Sequence, residues 1–224
     1  MTRLVVVSAG LSQPSTTRLL ADRLTDAVSD RLRALDQEPE VTVLELRELG
    51  TDVMAAMLTA GMPSARLAQA SAAIAAADAV IAVTPVFTAS YSGLFKSFFD
   101  VLDPGGLRGT PVLIGATAGT ERHSLVLDHT LRPMFTYLQA VVVPTGVFAA
   151  TSDFGGQGGA VDGLAQRIAR AADELVALLP SGVPAPWSGV EERAVRHTDA
   201  VARAEAAEDD GSFTPFEQLL GHST

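Results

Sequence analysis

The chain has 224 residues, a formal net charge of −10 at pH 7, 47% hydrophobic and 19% charged residues, and no cysteine. Such a composition belongs to a globular body rather than a disordered chain, and the lack of cysteine excludes a disulfide framework, a thiolate nucleophile and a cysteine-held iron–sulfur cluster. The acidic balance, with no cluster of Lys and Arg, opposes unaided binding to a nucleic-acid backbone.

At about 150 residues per domain, the length accommodates one domain with an appendage. The expected division is a body over residues 1–180, then a linker and C-terminal extension over 181–224. Met1-Thr2-Arg3-Leu4-Val5-Val6-Val7 enters a strand-like run at once and lacks the apolar core and cleavage site of a signal peptide. No apolar stretch approaches the roughly 20 residues that span a bilayer, so the expected location is the cytoplasm.

Residues 4–8 read as a buried strand and 9–14 as a turn-rich loop. A helix starts at Ser15, with Leu20, Leu24, Ala27, Val28, Leu32 and Leu35 at helical spacing. Residues 41–46 alternate as a second strand, 49–63 suggest a short helix and a turn, and the alanine-rich segment 64–77 leads into a third strand, 79–83. That strand stops at Thr84-Pro85, and a small-residue, polar loop over 84–92 precedes a helix over 93–102, ended by Asp103-Pro104-Gly105-Gly106. A fourth strand (111–116), a second polar loop (117–122), a helix (124–138) and a fifth strand (141–147) follow. A glycine-rich loop over 149–159 and a helix over 161–179 close the body.

Strands alternating with helices imply parallel βαβ units with right-handed crossovers. Five of them predict an α/β, flavodoxin-like three-layer sandwich with a parallel sheet of order 2-1-3-4-5, whose ligand sits outside the carboxyl ends of the first and third strands. A dinucleotide-binding Rossmann domain is the rival, but Ser8-Ala9-Gly10-Leu11-Ser12-Gln13-Pro14 contains no G-x-G-x-x-G.

The first loop is the clearest anion site. Ser8, Ser12, Ser15, Thr16 and Thr17, with Leu11 among them, surround the start of the first helix, where unpaired N–H groups and the dipole favour a phosphate. The plainer alternative is that Ser15 only caps the helix. Thr84, Pro85, Val86 and Phe87, then Tyr91 and Ser92, together with Thr117, Ala118, Gly119 and Thr120, offer small residues and backbone amides on neighbouring strand ends. A flat ring such as a flavin requires that kind of approach. The four histidines, His123, His129, His197 and His222, show no metal-ligand spacing; His123 reads as structural. Ser8, Asp128 and His123 invite a hydrolase reading, which the absence of a G-x-S-x-G elbow discounts.

Thr84-Pro85-Val86-Phe87, then Ser90-Tyr91-Ser92-Gly93-Leu94 and Lys96, resembles the P-x-Y-x-x-S-x-x-G-x-L-K signature of NAD(P)H-dependent FMN reductases. Ala116-Thr117-Ala118-Gly119-Thr120, then His123, Asp128, Leu131, Arg132 and Pro133, is similar to the reductases that serve two-component sulfonate or luciferase-like monooxygenases. The resemblance implies that the first loop holds the FMN phosphate and the other two loops hold the isoalloxazine, with NADPH or NADH as hydride donor. It further implies a homodimer or homotetramer that hands reduced flavin to a flavin-dependent monooxygenase. This chain departs from many members in having no basic residue in the first loop before Arg18, and Phe87 stands where Tyr is common.

His129 matches a one-residue insertion that forms a π-type turn at the subunit interface of reductases that release their flavin; single π-turns do mark functional sites. An ordinary surface or interface histidine is the alternative. No catalytic acid or base is nominated, because the cofactors carry hydride chemistry while the protein orients them. An FMN-bound quinone or azo reductase, a flavodoxin-type electron carrier and a non-flavin regulatory module are the competing functions. Carriers usually sandwich the ring with Trp or Tyr, and the one tryptophan, Trp187, lies in the linker. In the extension, Phe216, Leu219 and Leu220 share a helix face, with Phe213 nearby, and are expected to pack on their own domain, the alternatives being to clasp a neighbouring subunit or to cover the flavin.

Overall fold

In a computed structural model, which describes residues 1–59, 63–155 and 160–179, the valine run after Leu4 forms β1 (Thr2–Ser8). The chain continues through α1 (Thr16–Arg33), β2 (Pro39–Glu45), α2 (Leu46–Thr59), α3 (Ala65–Ala76), β3 (Ala79–Phe87), β4 (Ser90–Tyr91), α4 (Gly93–Asp100) and β5 (Pro111–Ala118). A 3-10 turn (Glu121–His123), a π turn (Leu127–Leu131), α5 (Arg132–Tyr137), β6 (Val141–Val142), β7 (Val147–Ala150), α6 (Ser152–Gly155) and α7 (Ala160–Ala177) complete it. Trp187, His197, His222, Phe213, Phe216, Leu219 and Leu220 lie outside the described residues. Among the described residues no helix is long and apolar enough to cross a membrane.

Serine starts three of the helices in the same way. The hydroxyls of Ser15, Ser64 and Ser92 accept the N–H of Arg18, Leu67 and Phe95, each cap contributing about 1 kcal/mol. The sheet is parallel in the order β2-β1-β3-β5-β6, with β7 extending the last position along β5. This is the flavodoxin-like order expected from the sequence, the fifth strand being in two pieces.

Strand side chains alternate between two cores. Val5, Val7, Val80, Ala82, Val112 and Ile114 face α2 to α5 and the rings of Phe95, Phe98, Phe99 and Phe135. Leu4, Val6, Ile81, Val83 and Leu113 face α1 and α7 through Leu20, Leu24, Val28, Leu164 and Leu175. Period-two burial on both faces is why these strands read as continuous apolar runs, and each fully buried Leu, Ile or Phe contributes about 1.5–3 kcal/mol.

The structure corrects four expectations. The loop expected over 84–92 is a hairpin: β3 continues through Thr84 to Phe87 and pairs antiparallel with β4, Val86 opposite Tyr91 and Phe87 opposite Ser90. Thr88 and Ala89 make its turn with φ of 50° and 62°, the left-handed geometry that suits the twist of a two-residue hairpin. Proline reads as a strand end because it cannot donate to a ladder. Here β3 leaves its parallel neighbours at Pro85 and pairs onward with β4 alone.

The helix expected over 124–138 starts later and is not uniform: a π turn (Leu127–Leu131) runs directly into α5 (Arg132–Tyr137). Its π turn is defined by the N–H of Arg132 donating to the carbonyl of Leu127, five residues back. The fifth strand, expected unbroken over 141–147, is interrupted at Pro144, which has no N–H to give. Side chains satisfy the break: Arg132 donates to the carbonyls of Val143 and Pro144, both at 2.9 Å. Glu174 accepts from the N–H and hydroxyl of Thr145 at 2.7 and 2.8 Å. The segment 49–63 also differs: α2 begins at Leu46, directly after β2, because Leu46, Leu49 and Val53 give it a buried face.

Candidate functional site

Sheet register decides which turns meet. Ser8 is level with Val83, Thr84 with Ala116 and Pro85 with Thr117, and Thr117 with Ala149. The N–H of Ala9 donates to the carbonyl of Val83 at 3.0 Å. The first loop, the hairpin and the segment after β5 therefore leave adjacent strands at one edge. The hydroxyls of Thr17 and Thr117 lie 2.7 Å apart and join the first helix to the end of β5, where the third of these segments begins.

In the first loop the five hydroxyls have different fates. Ser8 is fully buried, and its Oγ has no hydrogen-bond partner. Thr17 is buried and bonded to Thr117. Ser15 is the helix cap, as the plainer alternative held; Ser12 and Thr16 are exposed, as is Leu11. The backbone N–H groups of Thr16 and Thr17 stand in the first helical turn, where no helical carbonyl precedes them. The turn closes tightly over the cap, since a Cβ on Gly10 would stand 2.0 Å from Ser15 Oγ.

Thr84 is fully buried, and both capacities of its hydroxyl are used inside the protein. It donates to the Pro85 carbonyl and accepts from the Ser92 N–H, each at 3.0 Å. Thr84 thus fastens the hairpin to the start of α4, where the Ser92 hydroxyl in turn accepts from Phe95. Pro85, Val86 and Tyr91 are half-buried and Phe87 is exposed. Ala118 is half-buried, Gly119 and Thr120 are exposed, and a Cβ on Gly119 would meet nothing within 4 Å. The edge is open beside the third segment and tight beside the first.

His129 is exposed within the π turn, and this turn contacts the hairpin strand β4. The ring of Phe135 in α5 packs 5.0 and 6.3 Å from those of Phe99 and Phe95, tying this region to α4. His123 is exposed in the 3-10 turn. Among the described residues no group of His, Asp and Glu could hold a metal ion.

One feature of the site is absent from the sequence reading. Arg18 Nε donates to Asp22 at 2.6 Å and its Nη1 to Glu45 at 2.5 Å, beside a surface cleft of about 330 Å³ shared with Ser12, Ser15 and Arg47. The spacing of Arg18 and Asp22 was a legible helix pair, whereas Glu45 arrives from the end of β2.

A parallel sheet of this order, with a hydroxyl-rich turn before its first helix and two further turns beside it, is the architecture of flavodoxin-like proteins. The chain belongs to the NADPH-dependent FMN reductase family, whose family model matches residues 2–155. The match contains all three segments of the edge and His129. The chain is 37% identical over 174 residues to the NADH-dependent FMN reductase SfnE of Pseudomonas putida, covering 78% of this chain and 90% of that one. It is 40% identical over 152 residues to an FMN reductase (NADPH) of Pseudomonas aeruginosa, covering 68% and 78%. The X-ray structure of an oxidoreductase from Corynebacterium diphtheriae shares 51% identity and superimposes with a TM-score of 0.76, covering 80% of this chain and 97% of that one.

Proposed function

We propose that this chain oxidises NADPH or NADH, reduces FMN, and passes the reduced flavin to a separate flavin-dependent monooxygenase. The observation that carries this reading is the meeting of three turns at one sheet edge, where the Ser8 hydroxyl at the end of β1 is buried without a hydrogen-bond partner and the first loop leads into α1. A phosphate bound there would supply the acceptor that Ser8 lacks and meet the N–H groups of Thr16 and Thr17. The backbone after Thr84 and after Thr117, with the half-buried Pro85, Val86 and Ala118, suits a flat ring. When bound, the flavin supplies the hydride acceptor and nicotinamide the donor.

The protein's own part is orientation. Thr84 holds the hairpin, and the Thr17–Thr117 bond fixes the spacing between the first and third segments. Flavin-stripped protein titrated with FMN, then assayed for oxidation of NADPH and of NADH, tests the reading. Stimulation by added FMN is expected; FMN that binds without stimulating turnover leaves a resident flavin or an electron carrier.

The partner oxygenase follows from the likeness of residues 116–133 to reductases that serve sulfonate monooxygenases. Self-association is supported by Leu125 and Tyr137, exposed large apolar residues at either end of the segment holding the π turn. Light scattering on the purified chain should report a homodimer or homotetramer.

A further inference from the structure

A loop that binds a doubly charged phosphate would ordinarily put a free cation beside it. Here the basic residue of the first helical turn, Arg18, is held by two carboxylates, Asp22 at 2.6 Å and Glu45 at 2.5 Å. The next guanidinium, Arg47, is shared as well. Its Nε is 3.9 Å from Glu45, its Nη1 donates to the Ser12 carbonyl at 3.4 Å, and the side-chain amide of Gln13 lies against both of its Nη atoms. Two guanidiniums and two carboxylates sum to zero, so this cluster adds no net attraction for an anion in the first loop. What remains for the anion is neutral hydroxyls and the helix N-terminus. Glu45 is the more buried of the two acids, its side chain 12% exposed against 47% for Asp22, so its hold on Arg18 is the less screened by solvent.

Building on the proposed placement of the FMN phosphate in the first loop, we infer that Glu45 and Asp22 make flavin binding loose by keeping Arg18 off the phosphate. The pair works as an affinity brake, suited to a flavin that arrives, is reduced and leaves. Glu45→Gln removes one negative charge at nearly constant shape and leaves the cluster at +1. Partly screened attraction of that size tightens FMN binding by about fivefold.

The test is titration of the flavin-stripped full chain with FMN and with riboflavin, followed by flavin fluorescence. Riboflavin has the same ring and no phosphate. Glu45→Gln, and separately Asp22→Asn, should tighten FMN and leave riboflavin unchanged, and adding Arg18→Gln to either variant, which returns the cluster to zero net charge, should remove the gain. If FMN binds the parent chain but neither variant tightens it, or if FMN and riboflavin tighten together, the brake is overturned while the FMN site stands. If neither flavin binds the parent chain, the site assignment falls and the brake with it.

Discussion

The hydroxyls of Thr17 and Thr117 lie 2.7 Å apart, both side chains buried, linking the first turn of α1 to the end of β5 across 100 positions of sequence. Either oxygen can donate, and the bond is the direct polar link between the segment proposed for the phosphate and one of those proposed for the ring. Removing one partner leaves the other hydroxyl buried and unpaired. Thr117→Val is therefore expected to cost about 1–3 kcal/mol in urea unfolding. The double variant Thr17→Val, Thr117→Val should cost less than the sum of the single ones, because it strands no polar group. Strictly additive losses would show that the two hydroxyls do not interact.

Ser8 presents the opposite case, a buried hydroxyl with nothing to bond. In the flavin-free chain Ser8→Ala deletes an unsatisfied group, so stability should stay level or rise by up to about 1 kcal/mol. FMN affinity should fall by about tenfold or more, since a hydrogen bond to a charged acceptor is worth about 1.5–3 kcal/mol. Unfolding and FMN titration of the same preparation would then move in opposite directions. A variant that loses stability and keeps its FMN affinity would make Ser8 a structural residue.

The sheet was readable because its strands are buried on both faces: Val5 to Val7 and Val80 to Val83 are apolar without a gap. The first loop was readable as a cluster of hydroxyls, but their individual roles were not. Whether Thr17 is free depends on Thr117, and whether Arg18 is free depends on Glu45, partners that only the folded register brings together. Thr84 misled for a related reason. Before proline it reads as the start of a loop, and its actual work, fastening β4 and α4, depends on Ser92 eight residues on. The π turn has no compositional signal, since it differs from an α-helical turn by one residue of hydrogen-bond register; resemblance alone pointed to His129.

At the other end of the sheet, Asp78 accepts from Arg3 three times: from its backbone N–H at 2.8 Å, from Nη2 at 3.0 Å and from Nε at 3.3 Å. Burial pushes the Asp78 carboxyl up, but the bonds from Arg3 outweigh it and hold the group below its ordinary value. A carboxyl depressed in the folded state stabilises the fold above its unfolded pKa, roughly 3.9, and loses that contribution as pH falls through the folded value. Asp78→Asn should therefore cost about 1 kcal/mol at pH 7, the pair being partly solvent-screened. The gap between parent and variant should close below about pH 4. Urea unfolding at pH 7 and pH 3 measures both, and a gap of equal size at the two pH values would remove the ion pair as its cause.

The π turn offers the sharpest separation of fold from function. Leu127 and Leu131 are buried four positions apart, with Phe135 buried four further on. Deleting His129 would place the two leucines three positions apart, still on one helix face, and let the N–H of residue 132 reach a carbonyl four residues back in place of the present five. The variant should accordingly fold, with stability within about 1 kcal/mol of the parent because a regular α-helical register is restored. On the proposed function its flavin handling should change: FMN added before gel filtration should elute with the variant and separate from the parent. Equal loss of FMN from both proteins, at unchanged stability, would detach the π turn from flavin release and leave His129 an ordinary exposed histidine.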